Sequence, residues 1–206
     1  MAYFTRETLK FLDELAKHNE RAWFEKNKTR YEEHVKEPAG RLIADTAGKL
    51  GLEGKLMRIH RDVRFSKDKS PYKTNVGIGF HPRETLKAPL LGGLYLHIEP
   101  KESFVATGAW QPEPAVLAKI RDAIVAKPAV WEKARKVGLD KDEAALKKAP
   151  KGFDPEHKFI EDLRRKSFTA STPLTPAQVT AADLPRTLAA AEKRMRPLNE
   201  FLLAAL

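Results

Sequence analysis

The first quarter of the chain carries apolar residues at helical spacing. Leucines three residues apart form a stripe that predicts a helix from an N-cap at Thr5 to about Lys17. Aromatic and apolar residues then recur every four positions over residues 20–36, which predicts a second helix. A third helix is expected to hold Pro38 in its first turn and to end near Gly51.

The pattern changes to strand alternation near residue 56. Alternation predicts four strands, over residues 56–66, 74–80, 93–99 and 103–110. The short connection between the last two predicts an antiparallel hairpin. Residues 166–172 fit one further strand, although so short a segment does not distinguish a strand from other structure.

Helical spacing returns after a group of prolines that begins at residue 112. It predicts a helix around residues 116–125, another around 130–136, and helical structure from Asp183 to the end, with Pro197 kinking or dividing the last helix. The pattern as a whole predicts one α+β domain over residues 1–206. N-terminal helices precede a central antiparallel or mixed sheet of about four to five strands, and C-terminal helices pack on that sheet.

Composition indicates a soluble protein and removes several kinds of site. The chain has 206 residues, of which 42% are hydrophobic and 32% charged. It has no cysteine, which excludes disulfides, zinc–cysteine sites and thiol nucleophiles. No apolar run approaches the roughly 20 residues of a membrane helix, and the N-terminus lacks the apolar core of a signal peptide. We therefore expect a cytoplasmic protein without a membrane partner.

The net charge of +10 favours anionic partners without selecting among them. Nucleic acids, lipid headgroups and acidic metabolites would all be attracted. The glycine-rich fingerprints of the two common nucleotide-binding motifs are absent from the sequence. The identity of any cofactor is therefore unknown at this stage.

The segment from Arg58 to Lys73 is the strongest candidate for a binding site, since it concentrates six cations in sixteen residues. Strand alternation would place Arg61 among apolar neighbours and Asp62 on the opposite face. A guanidinium in apolar surroundings needs a carboxylate, carbonyl groups or a bound anion. We therefore predict a site for a small phosphate- or carboxylate-bearing ligand. The candidate ligand-binding residues are Arg58, Arg61, Asp62, Arg64, Lys67, Asp68, Lys69 and Lys73.

Two other interpretations of this segment stay open. Cations beside Phe65 and Tyr72 could contact nucleic-acid phosphates and stack a base, which would make the protein a nucleic-acid-binding module. Alternatively, every charge in the segment is paired within the chain, and the segment stabilises the fold without a ligand.

The same residues resemble the signature of a known family. The signature has the form R-x-x-R-D-x-R-F-x-x-D-K-x-x-Y, matched here by Arg58, Arg61, Asp62, Arg64, Phe65, Asp68, Lys69 and Tyr72. Blocks such as L-H-I-E-P and G-F-D-P-E-H extend the resemblance over nearly the whole chain. The family is domain of unknown function 2461, a group of conserved hypothetical proteins from bacteria and some fungi. The resemblance implies no activity.

The predicted strand over residues 93–99 carries candidate acid–base chemistry. Tyr95, His97 and Glu99 share one of its faces. An imidazole beside a carboxylate that orients it is a candidate general acid or base, and Tyr72 could supply a further proton. The same pair could equally be a structural salt bridge. Nearby arginines oppose a bound cation, so we predict no metal; whether the protein is an enzyme and how it oligomerises stay open.

Overall fold

The described residues form an antiparallel sheet in which each strand pairs with the next along the chain. The computed structural model describes residues 1–82 and 92–206. Within these ranges the sheet order is β1-β2-β3-β4-β5. The strands are β1 (Glu53–Leu56), β2 (Val76–His81), β3 (Leu94–Ile98), β4 (Ser103–Ala109) and β5 (Phe168–Leu174). Helices lie at both ends of the chain, so the predicted α+β class is confirmed.

Helices precede the sheet, separate β4 from β5, and follow β5. They are α1 (Arg6–Lys17), α2 (Arg21–Lys26), α3 (Lys28–Tyr31), α4 (Glu37–Leu50), α5 (Pro114–Ala126), α6 (Pro128–Ala134), α7 (Ile160–Leu163), α8 (Pro176–Val179) and α9 (Leu184–Leu203). A π-helical turn, Glu32–Lys36, joins α3 to α4. Among the described residues, no helix combines the length and the apolar character required to cross a membrane.

Local signals account for several helix ends. The Thr5 hydroxyl accepts a hydrogen bond from the Glu7 backbone at 3.2 Å, which confirms the predicted N-cap. Helix α4 ends at Gly51, whose φ of 67° suits glycine. The predicted helix over residues 20–36 is interrupted at Asn27, where the backbone leaves helical geometry. Helix α9 continues through Pro197 as one element.

One face of the sheet packs against the helices and holds the core. Ile78, Leu96 and Val105 lie side by side across three strands and are fully buried. Helix α9 packs against β4. The buried Asn199 amide joins this helix to the sheet. Its Oδ1 accepts a hydrogen bond from the Thr107 hydroxyl at 2.6 Å, and its Nδ2 donates to the carbonyl of Gly93, just before β3, at 3.2 Å.

The prediction of a strand over residues 56–66 is wrong. Strand β1 ends at Leu56, and residues 58–73, here called the basic loop, leave the sheet. The loop doubles back on itself through an isolated bridge between His60 and Tyr72. The Asn19 side chain bonds both backbone groups of Tyr72, at 2.9 and 3.0 Å, and the Tyr72 ring stacks on Phe24 with centroids 4.1 Å apart. These contacts dock the loop on the N-terminal helices.

Candidate functional site

The sheet face opposite the core helices is the floor of a groove of about 780 Å³. We call it the outer groove: Tyr95, Phe104 and Ala106 form its floor, and Lys73 and residues 140–144 lie on its rims. The floor is mainly apolar because alternate residues of β3 and β4 point away from the core. Cavities of this size and character hold small organic molecules in many proteins.

Two glycines of β2 allow side chains from this chain to cover the groove floor. A Cβ atom at Gly77 would lie 2.7 Å from the Tyr95 hydroxyl oxygen, so that position has room only for hydrogen. The space above Gly79 holds the His81 ring. The glycines therefore position Tyr95 and His81 against the sheet and leave the ligand-sized space further along, over β3 and β4.

His97 is the centre of a hydrogen-bonded chain beside the groove floor. Its Nε2 lies 3.1 Å from Glu99 Oε2, and its ring stacks on Phe104 at 4.7 Å between centroids. Its Nδ1 lies 3.3 Å from Asn75 Nδ2 and 3.4 Å from the Tyr95 hydroxyl. The Glu99 carboxylate accepts the proton of Nε2, which leaves Nδ1 as an acceptor for Asn75 and Tyr95.

Tyr95 connects this chain to the groove. Its ring lines the groove, whereas the His97 side chain is only 16% exposed and stacks on Phe104 of the neighbouring strand. Burial raises the pKa of the Tyr95 phenol, and a hydrogen bond from Asn75 opposes part of that rise. A neutral phenol at the groove floor, backed by an imidazole that can accept its proton and by a carboxylate, is able to exchange a proton with a bound molecule.

The structure brings His97 and Glu99 together and places Tyr72 elsewhere in the fold. The Tyr72 ring is 3% exposed and belongs to the core cluster. Its contacts with Phe24 and Asn19 anchor the basic loop. Tyr95 is therefore the tyrosine that accompanies His97.

The negative group that Arg61 meets is the Asp68 carboxylate of the same loop. The two side chains form an ion pair, and Arg61 also donates to the Ser70 carbonyl at 3.3 Å. Asp68 accepts further hydrogen bonds from the Ser70 backbone N–H at 2.9 Å and from its hydroxyl at 2.5 Å. This guanidinium is thus paired internally, and it stabilises the turn of the basic loop.

Arg64 is also paired within the loop. Its guanidinium forms a two-pronged bond with Asp62, with the nearer contacts at 2.7 and 3.0 Å. Lys69 donates to the Val63 carbonyl at 3.0 Å, and Lys67 is exposed. Solvent screens pairs at such exposed positions strongly. The surface of the loop, outside the lining of the outer groove, therefore holds Asp62, Arg64, Lys67 and Lys69.

Arg58 and Lys73 remain, and like the exposed Lys67 they differ from Arg61, Arg64 and Lys69, which have partners within the loop. Among the residues that the structure describes, neither side chain has an ion pair or a hydrogen bond. Lys73 is half-buried; burial lowers the pKa of its ammonium group, and the charge of Arg58 lowers it further. Lys73 also stands where the outer groove meets a second opening of about 340 Å³, the polar cleft, which Arg61, Ser70 and Asn75 line with it.

Comparison with known proteins supports the resemblance seen in the sequence. A family model described as conserved hypothetical protein (DUF2461) matches residues 7–201. The chain belongs to this family. The description assigns the family no activity. No curated protein matches the chain, and no solved structure matches it.

Parts of the site in this DUF2461 member had little signal in the sequence. Tyr95 shares a predicted strand face with His97, so strand alternation was sufficient to predict that the two side chains lie together. Asn75 and the rim formed by residues 140–144 come from irregular segments, for which alternation makes no prediction. Within the two described ranges, no group of three or more histidine, aspartate or glutamate side chains is arranged to hold a metal ion.

Replacing Asp68 with asparagine should change how stability depends on pH. Hydrogen bonds from Ser70, and then the Arg61 charge, hold the pKa of Asp68 well below its usual 3.8. The folded state therefore favours the carboxylate, so its stabilisation is complete above about pH 4 and is lost as the pH falls further. Urea unfolding should show Asp68→Asn less stable than wild type at about pH 7, with the difference shrinking below about pH 4.

Ser70→Ala serves as a partial version of the same change. It removes the hydroxyl donor and keeps the backbone N–H donor to Asp68. It should therefore give a smaller difference with the same dependence on pH. A stability difference that is constant from neutral to acid pH would contradict this account of Asp68.

Proposed function

We propose that the protein is a cytoplasmic binding protein for a small phosphate- or carboxylate-bearing molecule, which lies in the outer groove with its anionic group at Lys73 and Arg58. The observation that carries this proposal is the state of Lys73, a half-buried ammonium without an acidic partner among the described residues, at the junction of two openings. A buried cation is stabilised by an opposite charge, and two neighbouring cations favour an anion between them.

The groove floor supports a ligand that also has an apolar or planar part. Phe104 lies on the floor, and the Trp110 ring, which is 62% exposed, stands at the far side of the groove. Aromatic side chains in such positions stack on planar groups and remove apolar surface from water. We therefore assign the anionic end of the ligand to Lys73 and its planar part to the β4 side.

Acid–base chemistry is the second part of the proposal. The Tyr95 hydroxyl is the polar group of the hydrogen-bonded chain that lines the groove, and His97 and Glu99 stand behind it. In this arrangement Tyr95 takes a proton from the ligand as it passes its own hydroxyl proton to Nδ1 of His97, and Glu99 stabilises the resulting imidazolium. Binding does not depend on this step, so the two parts can be tested separately.

The ion pairs within the basic loop support only in part the alternative interpretation, in which the loop stabilises the fold and binds no ligand. That interpretation accounts for Arg61 and Arg64, which have Asp68 and Asp62 as partners. It does not account for Lys73, whose ammonium is half-buried without a partner in the described residues.

The test measures binding of phenyl phosphate, which has one planar ring and one phosphate group. Wild-type protein should bind it saturably in calorimetry. Lys73→Ala should weaken binding by about 10- to 100-fold, the usual worth of a charge-assisted hydrogen bond. Lys67→Ala is the matched control, because it removes an exposed lysine of the same loop and should leave the affinity unchanged.

A nucleic-acid surface is the second candidate, and a titration with an oligonucleotide, run beside the phenyl phosphate titration, separates the two. Phe65 is 96% exposed, and the Arg64 guanidinium lies 5.8 Å from its ring centroid, an arrangement that is able to stack a base. Tight binding of a thymidine oligonucleotide that falls steeply with salt, together with equal phenyl phosphate binding by wild type and Lys73→Ala, would overturn the small-ligand proposal.

A further inference from the structure

A third opening, the side cleft, adjoins the outer groove behind Gln111. Its volume is about 460 Å³. Gln111 and Ala144 line both openings, so the two share a wall. Arg121 of α5, together with Lys166 from the segment before β5, supplies the charge of the side cleft, and none of its lining residues is acidic.

Arg121 is a half-buried guanidinium that lacks a carboxylate partner. Its Nη2 donates to the Arg165 carbonyl at 3.0 Å, and its Nε is buried without a hydrogen-bond acceptor. Burial alone lowers the pKa of Arg121. Buried polar groups in folded proteins nearly always have a partner, so a guanidinium that lines a cleft and lacks both an acceptor for Nε and a carboxylate favours an anion there.

Two neighbouring arginines have more compensation for their charge than Arg121 has. Arg164 also has a buried Nε without a partner, but its Nη1 pairs with Glu161 at 2.6 Å. Arg165 donates to the carbonyls of Asp140 and Ser167. Arg121 has one carbonyl and no carboxylate among the described residues, so its charge is the least compensated of the three.

The Asp142 carboxylate is near this region but is occupied by backbone donors. It accepts N–H groups from Ala144 at 3.1 Å, Lys166 at 2.6 Å and Ser167 at 2.9 Å. These bonds hold the Lys166 backbone in place, and its exposed side chain lines the side cleft. Asp142 therefore organises the cleft wall, and its oxygens are used by the main chain instead of by Arg121.

Gln111 stands in a strained conformation between the two openings. Its φ of 44° is rare for a residue other than glycine, and its N–H donates to the Ser167 hydroxyl at 3.0 Å. Strained residues persist where surrounding contacts hold them and are concentrated at ligand sites. Here the conformation sets Gln111 on the shared wall, beside both Arg121 and the outer groove.

We infer that Arg121 and Lys166 form an anion subsite in the side cleft that binds a phosphate or carboxylate group. The subsite goes beyond the proposed function, since neither Lys73 nor Arg58 contributes to it. Because the side cleft shares a wall with the outer groove, the two anion sites together favour a ligand with acidic groups at both ends.

The experiment follows the Nε–Hε resonance of Arg121 by NMR while inorganic phosphate is added to the whole chain. We expect this resonance to move saturably, because a phosphate bound to the guanidinium from the side cleft changes the electrostatic environment of its Nε. The Arg164 resonance should not move, which makes it the internal control. In Arg121→Lys, which keeps the charge but loses the planar fork, the Gln111 side-chain amide should report at least about 10-fold weaker phosphate binding.

Matched variants separate this inference from the proposed function. Arg164→Lys should leave phosphate binding at the side cleft unchanged. In Lys73→Ala the Arg121 response should persist, so loss of phenyl phosphate binding with an intact Arg121 response would leave the subsite in place. An Arg121 resonance that stays fixed, or that drifts without saturation up to high phosphate, would overturn the subsite even if Lys73 binds its anion.

Discussion

Gly108→Ala should destabilise the protein more than the other substitutions considered, by about 3 kcal/mol or more in the free energy of unfolding. Gly108 lies in β4 opposite Thr169 with a φ of 118°, a conformation that side chains rarely adopt. An added Cβ would collide with the Phe168 carbonyl oxygen and lie 2.9 Å from the Thr169 Cα, and both are backbone atoms of the neighbouring strand. Strain of this kind costs about 3 kcal/mol or more, a large part of a typical domain's total stability.

Gly138→Ala is the matched control for that result. Gly138 also has a positive φ, of 84°, but an added Cβ there would meet no described atom within 4 Å. It should lose only the backbone-strain contribution, about 1–2 kcal/mol. Urea unfolding followed by circular dichroism measures both variants. Equal losses for the two would show that the collision with β5 relaxes at little cost, contrary to our expectation.

Features governed by neighbouring residues were predictable from the sequence. The Thr5 cap, the Pro38 start and the Gly51 end of helices each depend on contacts within one helical turn. The β3–β4 hairpin depends on a four-residue connection between two alternating segments. The pairing of His97 with Glu99 belongs to the same class, because residues two apart on a strand share a face.

The basic loop shows where that kind of prediction stops. Residues 58–66 alternate like a strand, yet they leave the sheet, and the loop is held in place by contacts such as those of Asn19 with both backbone groups of Tyr72, 53 positions away. Nothing in the local pattern carries that contact. The tertiary contact outweighs the local preference, as is common for strands whose partners are distant in sequence.

The candidate binding residues divide along the same line. Arg61 and Arg64 have carboxylate partners within seven residues, so neighbouring sequence determines how their charge is compensated. Whether Lys73 and Arg121 have carboxylate partners depends on which acidic side chains lie near them. That is determined by how the whole chain folds. Arg121 lies on α5 and Lys166 just before β5, and only the packing of these elements places them in one cleft.

Asp162→Ala is expected to have the second-largest effect on stability. Asp162 is 4% exposed, and its Oδ2 accepts a hydrogen bond from the Trp131 indole at 2.8 Å. The Arg135 guanidinium lies 3.2 Å from the same oxygen but is 41% exposed. Removing the carboxylate leaves a fully buried indole N–H without an acceptor, while Arg135 returns to water. We expect a loss of about 2–3 kcal/mol in the free energy of unfolding.

Asp162→Asn separates the indole bond from the ion pair. The amide oxygen still accepts from Trp131, whereas the charge that faces Arg135 is gone. Because Arg135 is partly solvated, this variant should lose less than half as much as Asp162→Ala in urea unfolding. Helix α7 leads directly into Lys166, so Asp162→Ala should also disturb the NMR signals of the side cleft. Equal losses for the two variants would mean that the charge on Asp162, and not the bond to Trp131, holds α7 against α6.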